Sequence, residues 1–463
     1  MNKSNLLLAG ILSLSCTANK ADRTVEKVNQ KPNILFLIAD DLSIRLGCYG
    51  DDSALTPNID RLAKNGITFT HAYSQGSVCI PSRTSFMLGL NNSNANSGHF
   101  KKYPETMTMG RWFRENGYQT FSVGKIDHDE TYTDPKAWDI RVPINECRLG
   151  ATPVKKSRFD EDRGLMRETH LTYSVDEKGE ATSDWARTER AIHFLEKERQ
   201  TDKPFFAAVG FLSTHTPWET TKDIFNIRSS VSYSLEWPPP ADMTPVTEKA
   251  FYYNPGLDFS EELQQHSKHQ YYAAIGLLDQ QIGRLFNALE KQNLLKNTII
   301  VFISDQGFHL GWRGQWIKHT ISEQVLRVPL IVSLPDGIKN AKANGIVELL
   351  DLFPTFCDLA GIPVPDNLDG QSFFPILENP DKEGKKAAFC SMPPSWGFGR
   401  TVRTRDWRLI ERLDGTLELY RHPSDMDEYY DVAKEKENES VLNELHEMLI
   451  KMYGSIPEKN ELK

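Results

Sequence analysis

The sequence predicts an α/β protein: a large mixed, mostly parallel sheet between helix layers, followed by a small C-terminal α+β subdomain with an antiparallel sheet. Three observations carry that prediction. Continuous apolar runs recur at 31–39, 118–124, 204–211, 297–304 and 328–333, as strands buried on both faces require. Helical stretches with caps and terminal glycines alternate with them. After about residue 380 the pattern changes to short polar and aromatic strands, and alternation followed by an antiparallel end is the mark of an α/β domain with an appended subdomain.

The elements follow in order. Residues 31–39 read as a buried strand bounded by Pro32 and by Asp40 and Asp41. Thr56-Pro57 opens a short helix that Gly66 closes, and 67–73 is a strand. At 79–88 a cysteine stands just ahead of Pro81, which can take the first position of a helix, and Gly89 is its stop. A helix over 107–116 ends at Gly117, and the strand 118–124 delivers Lys125 and His128. Residues 129–180 are polar with little periodicity, a long surface excursion that shapes a cleft. A helix at 184–197 and a strand at 204–211 lead to Thr214-His215-Thr216-Pro217. The Pro-rich insertion Trp237-Pro-Pro-Pro240 precedes a long helix over 260–292. The strand 297–304 ends at Asp305-Gln306-Gly307, 328–333 is another strand, and 347–360 is a helix closing at Gly361. Strands at 401–410 and 416–420 and a helix at 440–452 complete the chain.

At 463 residues the chain is long for one core. Apolar content of 39% and charge of 25% are those of a soluble globular protein. A net charge of −9 argues against nucleic acid as a partner, but a local cluster of Arg and Lys can still bind an anion. Lys3, the apolar run 6–14 and Ser15-Cys16 have export character, and the run is too short to span a bilayer. Cys16 after Leu-Ser-Leu-Ser resembles a bacterial lipoprotein box, with general signal-peptidase cleavage as the alternative. The polar stretch that follows favours the lipoprotein reading, because it has the composition of a tether.

Four strand ends deliver polar residues to one sheet edge: Asp40 and Asp41, Lys125 and His128, His215, and Asp305 with Gln306. Ligands of open α/β sheets lie at that edge. Each residue singly has a bland reading as a turn, cap or loop residue, and their joint placement is the argument. Cys79 at a helix N-terminus faces free amide donors, and Arg83 one turn on suits a tetrahedral oxyanion. The stretch reads as a nucleophile facing an anionic group.

Cys79-Ile-Pro-Ser-Arg83 resembles the C-x-P-S-R signature of the formylglycine-dependent sulfatases. Leu46-Gly-Cys-Tyr-Gly50, Thr56-Pro-Asn-Ile-Asp60, Ser122-Val-Gly-Lys-Ile-Asp-His128, Ser304-Asp-Gln-Gly-Phe-His-Leu-Gly311 and Gly314-Gln-Trp-Ile-Lys318 extend the likeness over about residues 31–420, closest to the iduronate-2-sulfatase branch. The resemblance implies an alkaline-phosphatase-like fold, and the export signal and the pattern change near residue 380 divide the chain into a signal and lipobox at 1–16, a tether at 17–30, a catalytic domain at 31–380 and a subdomain at 381–463. The resemblance also implies that Cys79 is oxidised to an aldehyde (3-oxoalanine, formylglycine) whose hydrate attacks sulfur. By the same resemblance Asp40, Asp41, Asp305 and Gln306, with modified Cys79, are expected to hold one divalent cation. It likewise implies that Arg83, Lys125 and Lys318 contact the sulfate, that His215 or Lys318 protonates the leaving alcohol, and that His128 takes the proton that releases sulfate. Three carboxylates and an amide oxygen form a hard site suited to Ca²⁺ rather than Zn²⁺. Gln306 departs from the family's more frequent Asn or His.

The expected activity is hydrolysis of a sulfate ester on a carbohydrate, the 2-O-sulfate of an iduronate or unsaturated uronate in glycosaminoglycan-type oligosaccharides. Another sulfated sugar, such as an ulvan-type or other algal glycan, is the alternative. A phosphatase or phosphodiesterase, and a non-catalytic lipoprotein that binds sulfated glycans, are the rival classes. Lys101, Lys102, Arg313, Arg327 and Arg403 are candidates for the uronate carboxylate, and His309 and His319 for the cleft wall. The expected partners are a sulfated oligosaccharide and a sulfatase-maturing enzyme, in the periplasm of a Gram-negative bacterium. Cys48, Cys147, Cys357 and Cys390 show no metal-type spacing and are expected free.

Overall fold

Asn33–Ala39 (β1) is buried along its whole length and feeds two separate cores. Leu35, Leu37 and Ala39 point into one layer, Ile34, Phe36 and Ile38 into the other. That alternation with both faces covered is what a continuous apolar run makes of a central strand. The computed structural model describes residues 31–91, 107–128, 133–144, 146, 173–176, 182–227, 231–236, 240–245, 260–392 and 399–455, which lie in one compact unit.

The strands of the main sheet are β1, Ile67–Phe69 (β2), Gln119–Gly124 (β3), Ile140–Val142 (β4), Phe205–Gly210 (β5), Thr298–Ser304 (β6), Leu330–Ser333 (β7) and Ala341–Ala343 (β8). Their order is β8-β2-β7-β6-β1-β5-β3-β4. β1 runs parallel to β5 and β6, and β3 parallel to β5 and β4. β7 runs antiparallel to β6 and β2, which makes the sheet mixed. So β1, β3, β5 and β6 end at a single edge.

Helices cover both faces. Pro57–Lys64 (α1), Ser183–His193 (α4) and Glu261–Lys291 (α5) pack on the Leu35 side through Ile59, Leu62, Ala186, Ala191, Leu278 and Ile282. Cys79–Leu88 (α2), Met109–Glu115 (α3) and Leu352–Ala360 (α6) pack on the Phe36 side. There the Phe36 ring meets Phe86 and Phe356 edge-on at 6.1 and 5.2 Å. Each such buried side chain contributes about 1.5–3 kcal/mol.

Ala387–Met392 (β9), Gly399–Thr404 (β10), Trp407–Glu411 (β11) and Leu417–Arg421 (β12) form an antiparallel sheet. Glu439–Tyr453 (α7) covers one face through Leu445 and Leu449 against Val402, Leu409 and Leu419. From the other face, Arg403 and Arg408 reach Glu323, just ahead of β7 of the main sheet, at 3.0 and 2.6 Å. Arg408 also pairs with Glu428 at 2.5 Å.

The structure amends the sequence reading in several places. The excursion 129–180 contains edge strand β4, and Tyr173–Asp176 pairs with Trp218–Thr221; the rest, with Cys147, lies largely outside the described residues. Residues 347–360 are not one helix: Val347–Glu348 is a strand on Ala72–Tyr73, then a 3₁₀ turn precedes α6. The amide of Val347 donates to the His71 carbonyl at 3.0 Å, so a tertiary partner outweighs helical propensity there. The expected strand 67–73 breaks after Phe69, and 401–410 folds back as β10 and β11. Helix α2 starts at Cys79, two residues before Pro81. Cys48, Cys79, Cys357 and Cys390 are free. The lipobox, the tether, Lys101, Lys102 and Trp237 to Pro239 lie outside the described residues, among which no helix is long and apolar enough to cross a membrane.

Candidate active site

The β1 strand ends in Asp40 and Asp41, both buried, and Asp41 adopts a left-handed φ of 59°. That turn lets the Asp41 amide donate to Asp305 Oδ1 at 3.2 Å, while the Leu42 amide donates to Ser304 Oγ at 2.9 Å. The two strand ends are stitched together by their own polar side chains. Oxygens of Asp40, Asp41 and Asp305 lie within 4.8 Å of one another.

Residue 79 opens α2 directly over this trio, and Gly89 closes the helix in a left-handed C-cap, as the sequence suggested. Cys79 Sγ is 3.4 Å from Asp40 Oδ1, 3.0 Å from Lys318 Nζ and 3.5 Å from Gln306 Nε2. Ser82, silent in the sequence reading apart from its motif, donates from Oγ to the Asp305 carbonyl at 2.5 Å and ties α2 to β6. Burial, then the Asp40 charge, push the Cys79 thiol up to about 11, so an unmodified thiol there is a poor nucleophile.

Three cations face the three carboxylates. Arg83 Nε bonds Asp305 Oδ2 at 2.7 Å, and its Nη2 lies 3.3 Å from Asp40 Oδ1. Its Nη1 donates to the carbonyls of Lys125 and Ile126, fixing the turn that also carries half-buried His128. Arg83 is therefore turned inward more than an anion-facing role suggests, with only Nη2 making no hydrogen bond. Lys125 Nζ bonds Asp40 Oδ2 at 2.5 Å, and Lys318 Nζ bonds Asp41 Oδ1 at 2.5 Å. Burial raises the Asp40 carboxyl, but Lys125, His215, Arg83 and Lys318 reverse this and hold it well below the usual range. Asp305 goes the other way, pushed up to about 7 by burial despite Arg83. His215 Nδ1 sits 2.6 Å from the Thr216 carbonyl, which leaves Nε2 to face Asp41 Oδ2 at 3.7 Å. Burial lowers the His215 pKa.

Lys318 is held in a strained presentation. Ile317 and His319, on either side of it, have φ of 71° and 73°, and a β-branched residue there is uncommon. The loop is pinned by Arg313, whose guanidinium donates to the carbonyls of Thr244 and Glu428. Arg313 and Arg403 are thus buried in interior contacts, and Arg327 donates to the Thr70 carbonyl; none of the three is a loose surface cation. His309 stacks on Trp312 at 4.8 Å, with Nε2 2.8 Å from Thr320 Oγ1.

These donors fit a hard divalent cation. The carboxylates are buried and converge, and Gln306 Oε1 is buried without a hydrogen-bond partner while its Nε2 donates to Asp41. Turning that amide over points an oxygen at the same carboxylate, an arrangement stable only around a cation. Oxygen-only donors favour Ca²⁺ or Mg²⁺ over Zn²⁺.

Residues 32–362 match the sulfatase family model, and residues 311–454 match the C-terminal region of N-sulphoglucosamine sulphohydrolase. The chain is 30% identical over 422 residues to human iduronate 2-sulfatase, covering 80% of this chain and 76% of that one. It is 27% identical over 533 residues to an N-acetylglucosamine-6-O-sulfatase of Bacteroides thetaiotaomicron, covering 98% and 91%. In fold it resembles a protein solved with its substrate D-glucosamine-2-N,6-O-disulfate, with a TM-score of 0.75 and 24% identity over 93% of this chain and 100% of that chain.

Proposed function

The chain belongs to the sulfatase family and is a sulfuric ester hydrolase, and from that premise we propose that it acts on a glycosaminoglycan-type sugar, at the 2-O-sulfate of an iduronate or unsaturated uronate. The observation that carries this is the likeness to iduronate 2-sulfatase over four-fifths of the chain, taken with the Lys125-Ile-Asp-His128 spacing of that branch. The N-acetylglucosamine-6-O-sulfatase likeness supports a second reading, a 6-O-sulfated hexosamine.

In the proposed enzyme, residue 79 is formylglycine, which supplies a hydrated aldehyde as the nucleophile toward sulfur. A single Ca²⁺, held by Asp40, Asp41, Asp305, Gln306 and residue 79, supplies Lewis acidity toward the sulfuryl oxygens. The protein's own groups do the rest. Lys125 and Lys318 flank residue 79 and, with Arg83 Nη2, hold the negative charge that builds on those oxygens. The bond from His215 Nδ1–H to the Thr216 carbonyl orients the ring with Nε2 toward the site, and the ring protonated at Nε2 as well, the imidazolium, gives its Nε2 proton to the leaving alcohol, with Lys318 the alternative donor. His128, on the turn Arg83 fixes, accepts the proton that resets residue 79. Export with a lipid anchor at Cys16 completes the reading, and changing Cys16 to Ala while following the protein between membrane and soluble periplasmic fractions checks it.

Two measurements test the function. A mass spectrum of the Cys79 peptide from protein made with a sulfatase-maturing enzyme should show a loss of about 18 Da, a product outside the ordinary thiol oxidation series. Matured enzyme should then release sulfate from 2-O-sulfated unsaturated uronides faster than from 6-O-sulfated glucosamine. The reverse preference moves the assignment to the hexosamine. An unmodified Cys79 removes the mechanism.

A further inference from the structure

The loop that carries His215 is held from an unexpected direction. Asp184, on the first turn of α4 and fully buried, aims its carboxylate at the loop that carries His215. It accepts from the Leu212 amide at 2.9 Å and the Ser213 amide at 2.8 Å. It pairs with buried Arg187 at 2.5 Å. The α4 N-terminus already has a cap, since Thr182 Oγ1 accepts from the Trp185 amide, so Asp184 is not needed for that purpose.

The clasp is reciprocal. Glu219, at the far end of the same loop, accepts from Ser183 N and Oγ at 3.0 and 2.9 Å. Between the two grips, Thr214 Oγ1 donates to the Asp40 carbonyl at 2.6 Å, and the His215 amide donates to the Leu212 carbonyl at 2.9 Å. Arg187 packs against the left-handed Gly124 at the end of β3, where an added Cβ would come within 2.7 Å of Arg187 Cδ. A wedge behind two strand ends therefore sets the height of the 211–215 loop over Asp40 and Asp41.

We propose that Asp184, backed by Arg187, is a positioning residue for His215. It never touches substrate. Its two amide bonds fix the loop backbone, and the loop backbone fixes where His215 Nε2 stands relative to Asp41 and residue 79. A carboxylate is required because two amides and a guanidinium must be satisfied together, and an amide side chain offers one acceptor oxygen in place of two. The inference rests on the reading of His215 as a proton-transfer residue.

The test is a double-mutant cycle on matured, metal-loaded protein, with Asp184→Asn, His215→Ala and the pair, using 4-nitrophenyl sulfate and phenyl sulfate as probes. Asp184→Asn should lower kcat on phenyl sulfate about 10- to 100-fold, the scale of a misplaced catalytic group, with KM changed less than about 3-fold. In the His215→Ala background the same change should cost less than about 3-fold. Both single variants should spare the better leaving group, 4-nitrophenolate. Equal losses from Asp184→Asn in both backgrounds, or a lowered Tm with kcat intact, overturn the positioning role alone. A His215→Ala enzyme that keeps its kcat overturns the proton-transfer reading and this role with it. Should Asp184→Asn fail to fold, Asp184→Glu keeps both acceptor oxygens, displaces them by a methylene and carries the same comparison.

Discussion

Replacing Lys318 by Met probes the charge balance of the site. Asp40, Asp41 and Asp305 face Arg83, Lys125 and Lys318, three formal charges of each sign within bonded reach. Burial works against the Lys318 ammonium, but Asp41 outweighs it and keeps the group charged. Lys318 also stands 3.0 Å from Cys79 Sγ, the atom that marks where the reacting group of residue 79 sits. The substitution leaves a net negative charge and strips Asp41 of its 2.5 Å partner. Unpairing a buried carboxylate costs about 3–5 kcal/mol. A divalent cation bound there regains part of this, and at about 1.4 kcal/mol per decade a gain of half gives at least a 10-fold rise in affinity. Turnover moves oppositely: losing a preorganised cation facing the sulfuryl oxygens should cut kcat about 10²- to 10³-fold. Titration of chelator-treated protein with Ca²⁺ and sulfate release by the matured enzyme read the two effects separately. Weaker Ca²⁺ binding in the variant, or kcat within about 3-fold of the parent, would refute the reasoning.

Three further outcomes follow from the surroundings of the site. Gly124→Ala puts a Cβ against the Gly210 carbonyl and Arg187 at a φ of 81°, and should cost about 2–5 kcal/mol and most of the activity. Gly117→Ala, with a φ of 89° and open space around it, should cost only about 1 kcal/mol and leave kcat intact; comparing Tm and kcat of the two checks this. Arg313→Met removes the donors to Thr244 and Glu428 and should lower kcat and Tm together, by releasing the loop that presents Lys318. Glu323 is raised by burial and lowered more by Arg403 and Arg408, so its folded pKa lies below the ordinary 4.5. Its stabilising contribution is full above about pH 4.5 and fades as pH falls further toward the lowered folded pKa, so the Tm gap between parent and Glu323→Gln should be largest near neutrality and narrow steadily below about pH 4.5. A gap that widens on acidification contradicts the sign.

Much of the site was legible because its residues stand at the ends of strands whose burial is written in their apolar runs. Asp40, Asp41, Asp305 and Gln306 follow β1 and β6 directly, and a parallel sheet brings those ends to one edge without further information. The supports were less visible. Arg83 was placed on the correct helix, but its inward pairing with Asp305 depends on where β6 ends, more than 200 residues away. Asp184 gave no signal beyond its place on a first helical turn, since its partners are backbone amides that every sequence has. Val347–Glu348 was lost to a helical pattern because its strand partner, Ala72–Tyr73, is a local sequence's distant neighbour. Strand β4 hid in the polar excursion because an edge strand of three half-buried residues needs no apolar run.

The seam between the two sheets has a consequence for anyone who would treat the C-terminal portion as an interchangeable module. Glu323 stands ahead of β7 of the main sheet and its Oε1 accepts from Tyr73 Oη there, but its Oε2 and amide are claimed by Arg403, Arg408 and Glu428 from the other side. The Glu428 carbonyl in turn pins Arg313, on the loop that presents Lys318. Exchanging everything after residue 380 for the corresponding piece of a relative would therefore strand a buried acid and loosen an active-site lysine at once. A working chimera would have to carry Arg403, Arg408 and Glu428 across with the graft, which makes those three positions the true junction between the parts.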